Sequence, residues 1–513
     1  MTNWRSRSRL KAPRPASDQR RGGQGSRQLR ASILHGPTLT RAGAGQPRAS
    51  SNSHSARIER DSLGTKRVPV LAYYGIQTLR AVENFPISGL HLQPEMIRAY
   101  ALIKKAAALA NAQLRLLPSR HASAIQRACD EVLRGRFDDQ FVVDVYQAGA
   151  GTSFNMNMNE VLANRANELL GAKKGTYKYL RPNDHINMAQ STNDTFPTAI
   201  RLAGLLALPP LSQAMQELED ALSRKARQFA GVVKAGRTHL QDAVPVRLGR
   251  EFGAYALAVK KARVHIEQTA RQLEELNLGG TAVGTGMNAH PRYRVMAIQA
   301  LHRWMKQPLR PAQDMMERTQ SLGDFARLSG ALRVYALELI RIANDLRLLA
   351  SGPNTGFGEI DLPAVQPGSS IMPGKVNPSI PEMVDQVGFQ VIGFDTTVVF
   401  ATQAGQLELN VMMPVVAYNL LQSMHLLTNA SRVFAIRCIA GITANTARCE
   451  AFAHRSLALV TALNPHIGYL NAAMVAKESL KTGKSPLELV IEHRLLAPAA
   501  AKRLLDPGRL SRG

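Results

Sequence analysis

The sequence predicts a mainly α-helical protein organised around a bundle of long helices. Three observations carry this. Apolar residues recur at steps of three and four over stretches too long for a free-standing helix. Alternating, strand-like patterns are scarce. No internal repeat of roughly 20–50 residues points to a stacked-repeat architecture instead.

The helical pattern begins near residue 95. Residues 199–229 and 246–276 carry long stripes of helical period. The clearest stripe lies in 321–350, where Leu322, Phe325, Leu328, Leu332, Tyr335, Leu339, Ile342, Leu346 and Leu349 form one continuous face. Gly352-Pro353 ends it. Residues 386–432 form a further long apolar segment in which Pro414 predicts a kink. Helices of this length need partners along their whole length, and their wide apolar faces predict association between subunits.

Composition narrows the functional classes. The chain has 513 residues, room for two or three units at roughly 150 residues each. A hydrophobic content of 45% excludes a wholly disordered chain. No apolar run approaches ~18 residues, so no membrane helix is expected. The only cysteines, Cys129, Cys438 and Cys449, are too scattered for a disulfide scaffold or a cysteine-based zinc site. A reducing, cytoplasmic setting follows.

The net charge of +26 is unevenly placed. Residues 1–57 hold Lys11 and eleven arginines against the single acid Asp18, a net +11. This Ser-, Gly- and Pro-rich stretch is expected to be a disordered basic extension. It lacks the apolar core of a secretory signal. It matches an organellar transit peptide in composition but only weakly in periodicity. A basic arm touching polyanions through phosphate charge, or a solvated extension without a role, are the remaining readings.

Four polar segments punctuate the helices: 149–160, 182–194, 236–244 and 368–378. Their Gly, Thr, Ser and Asn content predicts loops that meet at one end of the bundle or at a subunit junction. In 368–378, Gly368 and Gly374 flank Ser369-Ser370, while Pro373 and Pro378 limit the motion. That predicts a hinged loop able to act as a lid, carrying two hydroxyls, Lys375 and Asn377. Val376 after Gly374-Lys375 excludes a phosphate-cradling P-loop. Ser191-Thr192-Asn193-Asp194 precedes the helical run from Pro197. One such residue suffices for a cap; four offer hydroxyls, an amide and free N–H groups to an anion. Gly149-Ala150-Gly151-Thr152 repeats that arrangement, and Thr238-His239 adds a hydroxyl and an imidazole. The glycine-rich run 279–286 follows a helix rather than a strand, so it fails as a dinucleotide fingerprint. This inventory holds no carboxylate pair, no Cys–His pair and no metal-ligand cluster. It suits a small anion with several carboxylate oxygens, and chemistry by a base with oxyanion stabilisation.

The eleven residues GSSIMPGKVNP at 368–378 resemble the signature of the aspartase/fumarase superfamily. GAGTS at 149–153, QSTND at 190–194 and the opening DSLGTKRVPVLAYYGIQTLRAVENFPISG at 61–89 resemble its aspartate ammonia-lyase branch more than class II fumarases; GRTHLQDAVP at 236–245 is common to both. The resemblance covers nearly all of 57–510. It implies a three-domain subunit: an N-terminal domain over 58–189, a central five-helix bundle over 190–445 and a small helical domain over 446–513. Four subunits would pair the bundles into a twenty-helix core, with each active site drawn from three subunits. It implies elimination of ammonia from L-aspartate to give fumarate, with Ser369 as general base. Thr152, Ser191, Thr192 and Ser370 would hold the β-carboxylate. Thr238, Lys375 and Asn377 would hold the α-carboxylate, with Asn193 and His239 near the amino group. No cofactor is required, and activation by a divalent cation such as Mg2+ is left open.

The chain departs from the family pattern at Leu71, Phe154, Arg181 and Asp385, none of them a proposed catalytic position. Two alternatives are fumarate hydration, and a non-catalytic lyase scaffold whose basic tail binds polyanions.

Overall fold

The computed structural model describes residues 55–512. The basic extension, apart from its last residues, lies outside them. Strands β1 (Ala56–Asp61) and β2 (Gly64–Pro69) pair as an antiparallel hairpin, Ala56 opposite Pro69 and Asp61 opposite Gly64. Ala56 and Arg57 therefore belong to a strand rather than to the extension. Arg57 is tied down by Glu59 at 2.7 Å and by the carbonyls of Pro69, Ala72 and Tyr74.

Helices α1 (Ile76–Asn84), α2 (Pro94–Gln113), α3 (Ser119–Leu133) and α4 (Thr152–Leu169) follow. Proline opens α2, where its missing N–H has no intrahelical partner to lose. The buried face of α2 is lined by Ile97, Tyr100, Lys104, Ala108 and Asn111.

The centre begins with α5 (Thr192–Gln228), whose 37 residues span about 55 Å. It stays helical through Pro209 and Pro210, both of which face solvent. A hairpin of β3 (Val233–Thr238) and β4 (Gln241–Arg247) leads into α6 (Leu248–Ala270). Then come α7 (Tyr293–Met305), α8 (Glu317–Gln320), α9 (Gly323–Leu349), α10 (Ser379–Gln403) and α11 (Met413–Val433). The long helices α5, α6, α9, α10 and α11 pack as a five-helix bundle. All nine residues of the expected 321–350 stripe are buried.

The 386–432 segment is not one kinked helix. It divides into α10 and α11, with residues 404–412 between them. Asn410 holds the break by donating to the carbonyls of Ala401 and Thr402 at 2.9 and 3.0 Å and accepting from Met412 N at 2.8 Å. Pro414 falls in the first turn of α11, a place that suits its fixed φ.

After the bundle, α12 (Thr446–Arg455) packs on β3. Short helices beyond residue 463 enclose a separate small core of Leu459, Leu463, Val475, Leu489, Val490 and Leu505. Among the described residues, strands pair only two at a time. All three cysteines are free and buried.

Candidate active site

Gly149–Gly151 form a single tight turn that delivers the chain to α4 at Thr152. Gly151 has φ +81, and a Cβ there would lie 1.9 Å from the Phe196 ring, so only glycine fits. Thr152 is exposed at the start of α4 and lines an open cavity of about 960 Å3, together with Arg60, Arg80, Tyr177, Arg181 and Asn183.

The rest of the 149–160 segment is not a loop. Asn155, Asn157, Asn159 and Glu160 are buried inside α4. Hydrogen bonds to distant backbone and side chains absorb most of their polarity, the Asn159 Oδ1 atom alone being left without a partner among these four residues. Glu160 accepts from the N–H groups of Gly75, Gln77 and Thr78 at 2.9, 2.8 and 3.0 Å and from the Thr78 hydroxyl at 2.6 Å. It thereby caps α1 from another helix. Burial still holds its carboxyl above the usual range.

Helix α5 starts at Thr192, earlier than the run from Pro197 suggests. Ser191 is its N-cap: the Oγ accepts from Asn193 N at 3.2 Å, and Asp194 Oδ1 accepts from Ser191 N at 2.9 Å. The other Asp194 oxygen accepts from the N–H groups of Gly279 and Thr281 at 2.9 and 3.0 Å. Asn193 Nδ2 donates to the Ala282 carbonyl at 2.8 Å. The glycine-rich run 279–286 is thus a collar around the start of α5. Burial pushes the Asp194 carboxyl up to about 7.

Beneath this helix start lies Lys104, which the sequence reading passed over. It is wholly buried and donates to Asn155 Oδ1, Gln190 Oε1 and Asn187 Oδ1 at 2.8, 2.9 and 3.1 Å. Burial lowers its ammonium to about 7, while the Asp194 charge works against that shift. The signal was present in the spacing: Lys104 falls on the same stripe as Ile97, Tyr100, Ala108 and Asn111.

Thr238 and His239 lie at the tip of the β3–β4 hairpin, where Thr238 pairs with Gln241. His239 and Leu240 form the two-residue turn with φ +55 and +58. The Thr238 and His239 side chains are both exposed. Strand β3 of the hairpin is held by the fully buried Glu359. It pairs with Arg237 at 2.9 Å and Lys234 at 3.2 Å, and Lys234 also meets Glu251 at 3.0 Å.

The 368–378 segment is an irregular loop held mainly by itself. Gly368 N donates to the Lys375 carbonyl at 2.9 Å, and Asn377 Nδ2 donates to the Gly368 carbonyl at 2.6 Å. The Ser369 hydroxyl oxygen accepts from the N–H groups of Ile371 and Met372 at 3.2 and 2.9 Å. Ser370 and Lys375 are exposed, and Ile371 is 83% exposed.

The start of α4 and the start of α5 are joined, since Asn155 Nδ2 donates to Thr192 Oγ1 at 3.0 Å. Among the described residues, no hydrogen bond links either helix start to the hairpin tip or to the 368–378 loop. Three of the departures are structurally plain. Phe154 packs against Tyr100 and Phe196 with ring centroids 5.4 and 6.4 Å away. Asp385 on α10 pairs with Arg347 on α9 at 2.8 Å. Arg181 lines the cavity beside Thr152. Leu71 is exposed, and nothing in the structure explains it. No group of three or more His, Cys, Asp or Glu able to hold a metal ion occurs among the described residues.

A lyase family model matches residues 64–393, and a model of the fumarase C C-terminus matches 459–512. The chain is 52% identical to the aspartate ammonia-lyase of Pseudomonas aeruginosa, over 88% of this chain and 96% of that protein. The crystal structure of a fumarate lyase:delta crystallin from Brucella melitensis bound to cobalt matches with a TM-score of 0.87 at 50% identity, over 90% of this chain and all of that one. A class II fumarase from Schistosoma mansoni matches with a TM-score of 0.86 at 36% identity, over 89% of this chain and 99% of that one.

Proposed function

The chain belongs to the aspartase/fumarase superfamily of lyases, and we infer that it eliminates ammonia from L-aspartate to give fumarate. The observation that carries the mechanism is the pair of N–H groups aimed at Ser369 Oγ. A serine hydroxyl is a weak base at its ordinary pKa. Two backbone donors stabilise the alkoxide form and make it a usable one.

Ser369 takes a proton from the β-carbon. The electron pair left behind spreads into the β-carboxylate, which Thr152, Ser191, Thr192 and Ser370 hold. As the pair returns to form the Cα–Cβ double bond, the C–N bond breaks and ammonia leaves beside Asn193 and His239. Thr238, Lys375 and Asn377 hold the α-carboxylate throughout. Lys375 makes no salt bridge among the described residues, so its charge is available to a carboxylate.

No hydrogen bond among the described residues joins the helix starts to the hairpin tip or the 368–378 loop; a homotetramer would bring them together, with each site shared by three subunits in a twenty-helix core. Exposed apolar side chains on the bundle support this. Val334 and Leu337 on α9, and Phe389 and Phe400 on α10, are 44–63% exposed in the single chain. In this reading residues 58–189, 190–445 and 446–513 form the three domains. The setting is cytoplasmic, and no helix among the described residues is long and apolar enough to cross a membrane.

The rival activity is fumarate hydration, favoured by the match to a class II fumarase. A paired assay separates the two. Ultraviolet absorbance of fumarate should appear from L-aspartate with release of ammonia. Fumarate from L-malate with none from L-aspartate would make the chain a fumarase. Adding Mg2+ to the same assay reads divalent-cation activation. Removing residues 1–54, which leaves β1 and Arg57 in place, tests the basic extension: turnover should persist, and lost polyanion binding alone would assign that segment a separate role.

A further inference from the structure

If Thr192 holds a substrate carboxylate, as proposed above, its hydroxyl must point a proton at that anion. A hydroxyl carries one proton, so its direction is set by what else the oxygen does. Here Thr192 Oγ1 accepts from Asn155 Nδ2 at 3.0 Å, and no hydrogen bond among the described residues takes its own proton. The oxygen is engaged from below, and the proton is left for the site.

The Asn155 amide cannot turn over. In its protonated form Lys104 has donors only, and it sits 2.8 Å from the Asn155 oxygen with two further oxygen acceptors around it. Its other two protons go to Gln190 and Asn187 at 2.9 and 3.1 Å. Turning Asn155 over would set an NH2 group against an ammonium. The second amide proton of Asn155 goes to Asn187 Oδ1 at 3.3 Å, which also takes Asn159 Nδ2 at 3.2 Å. Lys104 is 0% exposed and Asn155 2%, so water does not compete for these partners. An apolar side chain would fill this place in α2 with less desolvation. What the buried ammonium adds is direction.

We propose that Lys104 and Asn155 are positioning residues for substrate: the ammonium fixes the amide, the amide fixes the Thr192 hydroxyl, and the hydroxyl presents its proton to a substrate carboxylate. Negative charge grows on the β-carboxylate as the β-proton leaves. A donor already aimed there is worth more in the transition state than in the bound substrate, so its loss falls mainly on kcat.

The test uses two replacements of similar size in the full-length tetramer. Asn155→Asp keeps a partner for Lys104 but can only accept; it takes the Thr192 proton and turns a lone pair toward the substrate. Asn155→Leu neither donates nor accepts, and leaves that proton free. Asn155→Asp should lower kcat about 100-fold or more, and Asn155→Leu less than about tenfold, with thermal melting showing both folded. A merely structural role predicts the opposite order, because Asp preserves the polar contact that Leu removes; that order overturns the proposal. Thr192→Val separates the two levels of the argument. Unchanged kcat and KM in Thr192→Val would refute Thr192 as a substrate ligand. A damaged Thr192→Val with a mild Asn155→Asp refutes only the relay. Should Asn155→Asp not fold, Lys104→Gln serves: its neutral amide no longer dictates the orientation of Asn155. In that variant kcat should fall at least about fivefold, and an unchanged kcat in the folded protein overturns the proposal.

Discussion

Gly151 and Gly374 share the same left-handed backbone, φ +81 in each, yet stand in opposite surroundings. A Cβ on Gly151 would strike the Phe196 ring at 1.9 Å, whereas a Cβ on Gly374 would meet nothing within 4 Å. The first glycine lies where α4 and α5 begin, over Lys104 and its three carboxamides. The second lies in the 368–378 loop, which carries the proposed base and is held largely by its own hydrogen bonds. The proposed binding half of the site is built into packed, hydrogen-bonded helix starts. The half proposed to move a proton is on open backbone, which suits a loop that would close over substrate. The contrast fits the proposed shared site, in which another subunit would bring the open loop against the packed half.

The largest effect should come from the loop. Ser369→Ala should lower kcat by about 10³-fold or more while melting temperature and subunit assembly stay as in the parent. Near-normal turnover would remove Ser369 as the base.

The two glycines give the next contrast. Gly151→Ala combines left-handed strain with a ring clash and should cost about 3 kcal/mol or more in urea unfolding, or prevent folding. Gly374→Ala meets only the backbone strain and should cost about 1 kcal/mol or less, with its effect on turnover instead. Equal stability losses in the two variants would erase the distinction between packed and open halves.

A smaller effect concerns the packed side alone. His425 on α11 meets Glu95 on α2 at 3.0 Å. The Glu95 hydrogen bond raises the His425 pKa above its ordinary 6.5, and the pair holds Glu95 below its ordinary 4.5 despite burial. A raised histidine contributes fully below its unfolded pKa and loses that contribution as pH rises through the folded value. A lowered carboxylate contributes above its unfolded pKa and loses that as pH falls. The pair therefore stabilises most between those two ordinary values. With His425 about a third exposed, the drop toward alkaline pH should be on the order of 0.5 kcal/mol. It should be absent in His425→Gln, as urea midpoints on either side of the histidine transition would show.

Much of this was legible in the sequence because it is local. The α9 stripe follows from a period of 3.6, and all its members are buried. The hinge glycines and hydroxyls of 368–378 announce an open loop. What was not legible depends on partners far along the chain. Asn155, Asn157 and Asn159 look like loop residues until their buried partners on other segments are seen. The β3–β4 hairpin has no alternating pattern; its buried Lys234 and part-buried Arg237 make sense only beside Glu359, more than 100 residues later. Pro414 was read as a kink, though proline serves equally well to open a helix, and only the Asn410 break decides between them. Lys104 could have been found, since a lysine on an otherwise apolar stripe signals a buried charge in need of acceptors.

Complementation between two inactive variants tests most directly whether the packed and open halves come from different subunits. Ser369→Ala keeps an intact α5 start, and Thr192→Val keeps an intact loop; each alone should be nearly inactive. Refolded together as mixed tetramers, they should recover up to about a quarter of parental turnover, because random assembly joins the two intact halves at about one site in four. Mixed tetramers, verified by mass, that remain as inactive as either parent variant would contradict the shared site.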